Sequence, residues 1–175
     1  MVIQGRVSVL SDVSFNDVIR THSGLLSRIA LAYEADPSQR EDLKQEIVLA
    51  VWRALPSFRG QSSLKTYVAS IAQKRAVTHV SRRTRNPVTE ELGEELPTAD
   101  LQPDEAAIVA DRRSRLVAAM RQLSVAQRET ATLMLEGFSF IEIGETLGIT
   151  ANAAMLRCQR AKATLVELMG AAHGR

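Results

Sequence analysis

Apolar positions recur at helical spacing along most of the chain. Phe15, Val18, Ile19, His22, Leu25, Leu26, Ile29 and Tyr33 fall on one stripe, as an amphipathic helix requires. Pro37 then interrupts, and Ser38 with Glu41 has the S-x-x-E spacing of a capping box. The helix expected after it turns Leu43, Ile47, Ala50, Val51 and Ala54 inward, with Trp52 as a further core anchor. The turn PSFRGQSS leads to a third helix from near Ser63, with Leu64, Val68, Ile71 and Ala72 inward. After Pro103 a fourth helix runs to about Leu123. Ser124 with Gln127 and Ser139 with Glu142 repeat the capping-box spacing and open two more, the first ending before Gly137. The pattern predicts an all-α protein.

Charge divides this helical chain in two. From Val88 to Ala110 there is no Lys or Arg, while Glu90, Glu91, Glu94, Glu95, Asp100, Asp104 and Glu105 accumulate, and Pro87, Gly93, Pro97 and Pro103 punctuate the region. An acidic, proline-broken stretch between periodic halves reads as a flexible linker. The expected organisation is a helical domain at 12–86, an acidic linker at 87–103 and a second helical domain at 104–170. With 175 residues shared between them, each domain has a thin core, so support from a partner is expected. The net charge of +2 says little about nucleic acid by itself; its distribution says more. The single cysteine excludes an intramolecular disulfide and fits a reducing cytosol. The N-terminus MVIQGRVSVLSDVS has no long apolar core, and no window approaches the roughly 18 apolar residues of a membrane span. A cytoplasmic protein without membrane insertion is expected.

Two stretches carry chemistry. In SFIEIGETLGITANAAMLRCQR, Ile143 and Leu147 face inward, Gly144 permits a close approach, and Gly148 sits where a positive φ is wanted. Ile149 plugs the gap, and Thr150 suits the N-cap of the next helix. Ala154, Cys158, Ala161 and Leu165 form that helix's inward face, which leaves Asn152, Ala153, Met155, Leu156, Arg157, Gln159 and Arg160 over the rest. A DNA-reading helix-turn-helix and an αα-hairpin packed for stability alone both fit this spacing. Arg contacts phosphate or guanine and Gln pairs with adenine, which favours DNA. Cys158 reads as a small packing residue. The second stretch, KTYVASIAQKRAVTHVSRRTR, holds Lys65, Lys74, Arg75, Arg82, Arg83 and Arg85 with no carboxylate, immediately before the acidic linker. Tyr67, Lys74 and Thr78 share a side of its helix. Aromatic residues, at 4%, are too sparse for an extended base-stacking platform.

EDLKQEIVLAVWRALPSFRGQSSLKTYVASIAQKRAVTHVSRR resembles region 2 of bacterial sigma-70 family factors, and LSVAQRETATLMLEGFSFIEIGETLGITANAAMLRCQRAKATL resembles their region 4. D-L-x-Q-E followed by W-R-A-L-P-x-F-R-G, with the late helix-turn-helix, carries the likeness across residues 12 to 168. The order of the two regions around an acidic linker is similar to the extracytoplasmic-function group. The resemblance implies a region 2-like helical bundle and a region 4-like helix-turn-helix domain in a promoter-specificity subunit, with no catalytic residues, cofactor or metal. Its implied partners are core RNA polymerase (through the β′ coiled coil and the β flap), promoter DNA and an anti-sigma factor. The helix with Asp42, Leu43, Gln45, Glu46 and Leu49 is then the polymerase-binding element. Arg59, Gln61, Ser62, Ser63, Lys65, Tyr67, Lys74, Arg75, Thr78, His79, Arg82 and Arg83 would melt and hold the −10 element. Unstacking a base costs a few kcal/mol, which pocket contacts and cation–phosphate attraction offset. His79 is equally suited to an interhelical structural hydrogen bond. Thr150, Asn152, Ala153, Met155, Leu156, Arg157, Gln159 and Arg160 would meet the −35 element.

The chain departs from that family pattern in both regions. Tyr67, Lys74 and Thr78 stand where Trp, Asn and Asp are usual, and Ala153, Met155 and Leu156 replace a common Thr, Lys and Ser. The second set removes a phosphate-contacting cation and two hydroxyls, which implies an altered or weaker −35 specificity, with Ala or Met available for thymine methyl groups. The rival reading is a polymerase-independent helix-turn-helix regulator that binds duplex DNA as a dimer. The basic first half and the partner-facing Asp42, Gln45 and Glu46 speak against it. An enzyme is disfavoured, because the chain has no Walker A loop, H-E-x-x-H or G-x-S-x-G, and His22, His79 and His173 lack metal spacing.

Overall fold

A computed structural model describes residues 14–85 and 103–171, and every regular element among them is helical. α1 (Phe15–Tyr33), α2 (Pro37–Ala54) and α3 (Leu64–Arg85) make the first bundle, with a 3-10 turn at Leu55–Ser57. α4 (Pro103–Gln122), α5 (Val125–Leu135), α6 (Phe140–Leu147) and α7 (Ala151–Ala171) make the second. The linker expected at 87–103 lies outside the described residues except for Pro103, which starts α4.

The helix starts show which local signals count. Ser124 and Ser139 each cap their helix while Gln127 and Glu142 reach back, so both capping boxes form as expected. The box expected at Ser38 and Glu41 does not. Asp36 is the N-cap there, accepting from the Gln39 amide at 2.8 Å, and Pro37 occupies the first turn. Proline has no amide hydrogen to lose at that position and its fixed φ suits helix entry, so Pro37 begins α2 where it was expected only to interrupt.

α2 buries a narrow line: among its residues Leu43, Ile47 and Val51 are fully buried. Trp52, expected in the core, is instead 56% exposed. It follows Val51 by one residue, a turn of about 100° that carries it off the buried line. Leu43 belongs to the core entirely and is withdrawn from the polymerase-binding set, since a side chain with no accessible surface meets no partner.

The two bundles share one core in this structure. α3 packs on α6, and α1 on α4 and α5. Leu25, Leu26, Ile29, Val68 and Ala72 join Met120, Leu133, Phe138 and Ile143 in a single apolar cluster. Polar contacts fix the register across the seam. Arg28 makes a two-pronged pair with Glu136 at 2.5 and 2.7 Å. Lys65 donates to the Glu136 carbonyl at 3.1 Å and lies 4.1 Å from the centre of the Phe138 ring. Arg121 donates to the carbonyls of Leu31 and Glu34 at 3.4 and 3.3 Å, capping the end of α1 from the other bundle.

Glu34, fully buried at that helix end, accepts from His79 at 2.6 Å, from Arg83, and from the Asp36 amide at 3.0 Å. Burial pushes its carboxyl up, but the bonds from Arg83, His79 and Asp36 outweigh it and hold the group below the usual range. A depressed carboxylate contributes stability that is present above its unfolded pKa and is lost as pH falls through the folded one. Glu34→Gln should therefore lower unfolding free energy at pH 7 by about 3 kcal/mol, the low end for breaking a buried pair. Urea titration should show that gap holding down to about pH 4.5 and fading below it. Arg20→Ala, which removes the surface pair with Asp17, should change stability by less than about 0.5 kcal/mol.

Candidate nucleic-acid and partner interfaces

Three surfaces emerge once the core is accounted for. Because α2 buries only its narrow line, Asp42, Gln45, Leu49 and Trp52 all face solvent. Phe15, Val48, Leu49 and Trp52, with Glu41, Lys44 and Gln45, line a groove of about 580 Å³ between the start of α1 and the outer face of α2. Leu49 and Trp52 are 44% and 56% exposed, an aliphatic and an indole side by side on a helix rimmed by polar groups. That composition suits a helical partner. Trp52 follows Leu49 by three positions, so the spacing that groups Asp42, Gln45 and Leu49 also contained it. Glu46 is turned toward α3, 3.8 Å from Arg75 and 4.0 Å from Arg82.

The second surface is α3 with the loop before it. Lys74, Thr78, Ser81 and Arg82 form an exposed stripe at helical spacing, and Arg59, Gln61 and Ser63 are exposed in the loop. Gly60, at φ 68°, makes the bend that presents them. Other members of the expected −10 set have internal duties. The Ser63 hydroxyl accepts from the Thr66 amide at 3.0 Å and starts α3. Tyr67 donates to the Ala54 carbonyl at 2.8 Å and packs on Phe58, which ties the loop down. His79 and Arg83 are drawn to Glu34, so His79 makes the interhelical bond. Lys65 is in the seam, where burial and the Lys65 charge together push the His22 imidazole below its usual range.

The third surface is the helix-turn-helix of α6 and α7. Gly148 has φ 68°, the left-handed conformation that ends α6, and Thr150 accepts from the Ala153 amide at 3.1 Å to start α7. A Cβ at Gly144 would stand 2.7 Å from the Ile149 carbonyl oxygen, so the turn backbone lies directly on that glycine. Ala154, Cys158, Ala161 and Leu165 are buried as expected. Burial pushes the Cys158 thiol up, in keeping with a packing role. Asn152, Leu156, Gln159 and Arg160 are exposed, and Ala153, Met155 and Arg157 are half-buried. Arg157 is close enough to Glu129 for its charge to act on that carboxyl. The bend is therefore packed from below and open above, although it belongs to a continuous core.

Among the described residues no cluster of three or more His, Cys, Asp or Glu side chains could hold a metal ion, and no helix is long and apolar enough to cross a membrane. Residues 18–86 match the sigma-70 region 2 family. Over 158 residues the chain is 25% identical to the ECF RNA polymerase sigma factor SigM of Mycobacterium tuberculosis, covering 90% of this chain and 78% of that one. Over 139 residues it is 30% identical to the ECF RNA polymerase sigma factor SigK of a Mycobacterium species, covering 77% and 68%. The fold is similar to that of the sigma factor RpoE from Bartonella quintana, solved with the anti-sigma factor NepR, at a TM-score of 0.72 and 21% identity over 89% of this chain and 96% of that one.

The tightness of the bend has a measurable consequence. Gly144→Ala should destabilise the chain by about 1–3 kcal/mol, because the added methyl meets backbone that cannot yield without moving α7. Gly170→Ala, where nothing lies within 4 Å, should be neutral or slightly stabilising, within about 1 kcal/mol. Thermal unfolding of the two variants reads the difference.

Proposed function

The chain belongs to the extracytoplasmic-function group of sigma-70 RNA polymerase sigma factors, and from that premise we propose how its surfaces divide the work of promoter-specific initiation. As a member of that group it binds core RNA polymerase and promoter DNA. The outer face of α2, with Asp42, Gln45 and Leu49 and extended by Phe15, Val48 and Trp52, docks on the polymerase, with Glu46 at its α3 edge. The observation that carries this assignment is Trp52, which stays 56% exposed beside Leu49 on a helix whose core contribution is already complete. An exposed indole next to an aliphatic side chain has the make-up of an interface hot spot.

The exposed stripe of α3 and the loop through Arg59 and Gln61 take the −10 strand, with Lys74 and Arg82 supplying cations. Glu46 sits between the two jobs, since its ion pairs with Arg75 and Arg82 hold the polymerase-binding helix against the DNA-binding one. α7 takes the −35 duplex. Lys65 is held by Glu136 and Phe138 in the closed arrangement, so its use by DNA requires the bundles to part. The chain catalyses nothing itself and acts in the cytoplasm, where polymerase is. An anti-sigma factor is a further proposed partner, supported by NepR on the Bartonella relative.

Reconstitution with bacterial core polymerase on fragments of genomic DNA tests the assignment. The wild-type chain should yield transcripts with discrete start sites. Trp52→Ala should keep the helical circular dichroism signal and lose at least about tenfold in core affinity, as expected for a truncated hot spot. Dispersed start sites, or a Trp52→Ala chain that binds core as wild type does, would overturn it.

A further inference from the structure

The outward stripe of α7 consists of Asn152, Leu156, Gln159, Arg160 and Ala163, all exposed. It lies opposite Ala154, Cys158, Ala161 and Leu165, which face α4, α5 and α6. At about 100° per residue, Leu156 falls in the middle of that stripe, with Asn152 and Gln159 on one flank and Arg160 on the other. A lone exposed leucine would mean nothing on most surfaces. Here it stands at the centre of the outward stripe, with two amides on one side and a guanidinium on the other, and it is 43% exposed. Met155 and Ala153, which sequence spacing also offers for thymine contacts, sit half-buried on the shoulders of the helix. The apolar character continues past α7. Ile141, 65% exposed, joins Ala151 and Ala153 along an open groove of about 600 Å³ at the elbow.

The major-groove edge of an A·T pair offers an acceptor and a donor on adenine and, beside them, the 5-methyl group of thymine. A carboxamide complements the first and an aliphatic side chain the second. Guanine, by contrast, is best met by a cation, and the stripe carries one, Arg160, toward its edge. Arg157 lies about 100° around the helix from Leu156, off the stripe and half-buried. Building on the assignment of α7 to the −35 duplex, we infer that this helix selects an A·T-containing element, with Leu156 seated on a thymine methyl group and Asn152 and Gln159 on adenine edges. Leu156 is then the residue that sets this chain's −35 preference.

The holoenzyme tests this on an upstream element found by mapping its start sites. Each thymine of that element is replaced in turn by uracil, which removes the methyl group and leaves base pairing intact. Uracil at one or two positions should weaken holoenzyme binding about fourfold each, the effect of exposing one buried methyl group. With Leu156→Ala, an exposed change that leaves the core untouched, thymine and uracil templates should bind alike at those positions. Wild-type binding indifferent to uracil at every position overturns the inference, as does a Leu156→Ala chain that keeps the thymine preference. Absence of any defined start on unmodified DNA overturns the −35 assignment of α7, and this inference with it.

Discussion

A carboxylate with no access to water is costly unless cations and amides surround it, and Glu34 is in that position at the end of α1. Its partners, His79 and Arg83, lie on α3, 45 and 49 residues away in sequence. Its own backbone carbonyl accepts from Arg121 on α4. One helix end therefore sets the rotation of α3 and receives the second bundle. With His79 and Arg83 held inward, Lys74, Thr78 and Arg82 are left on the outward side. The outward stripe of α3 proposed for the −10 strand thus depends on an ion pair held inward beneath it.

The same economy of burial shapes the other surfaces. α2 needs only Leu43, Ile47 and Val51 to hold its place, so most of its circumference is available for a partner. α7 packs through Ala154, Cys158 and Ala161, side chains short enough to let α5 and α6 approach closely, and keeps its longer polar and aliphatic side chains outside. In both helices a thin inward line frees a broad outward one. The shared core between the bundles compensates for how little each buries alone.

Features that depend on neighbours in sequence were legible beforehand. The capping boxes at Ser124 and Ser139, the left-handed Gly148, the cap at Thr150 and the buried face of α7 all follow from spacing and local conformational preference. At the start of α2, Asp36 before Pro37 and Ser38 with Glu41 offer competing caps two residues apart, and the proline-compatible one prevails. Size and hydrophobicity suggest burial for Trp52, whereas its angular position on α2 decides against it. Nothing local announces Arg28 with Glu136, or Lys65 with Phe138, since such contacts join residues far apart in the chain and have no period. For the same reason Arg83 reads as a surface cation in the sequence although Glu34 holds it, whereas the interhelical bond of His79 is one of the two roles its position suggests.

The seam also joins residues with two claims on them. Lys65 is held by Glu136 and Phe138 in the closed form, and on the proposed −10 assignment it cannot meet promoter DNA at the same time. On that assignment the bundles close on each other in the free chain and separate on polymerase and promoter. Spin labels at Gln39→Cys and Val166→Cys, both exposed and in different bundles, with Cys158→Ala, report the distance directly. Pulsed dipolar spectroscopy should give one short, narrow distribution for the free chain and a longer one for the promoter-bound holoenzyme. A distribution that stays short and unchanged through promoter binding would contradict the account.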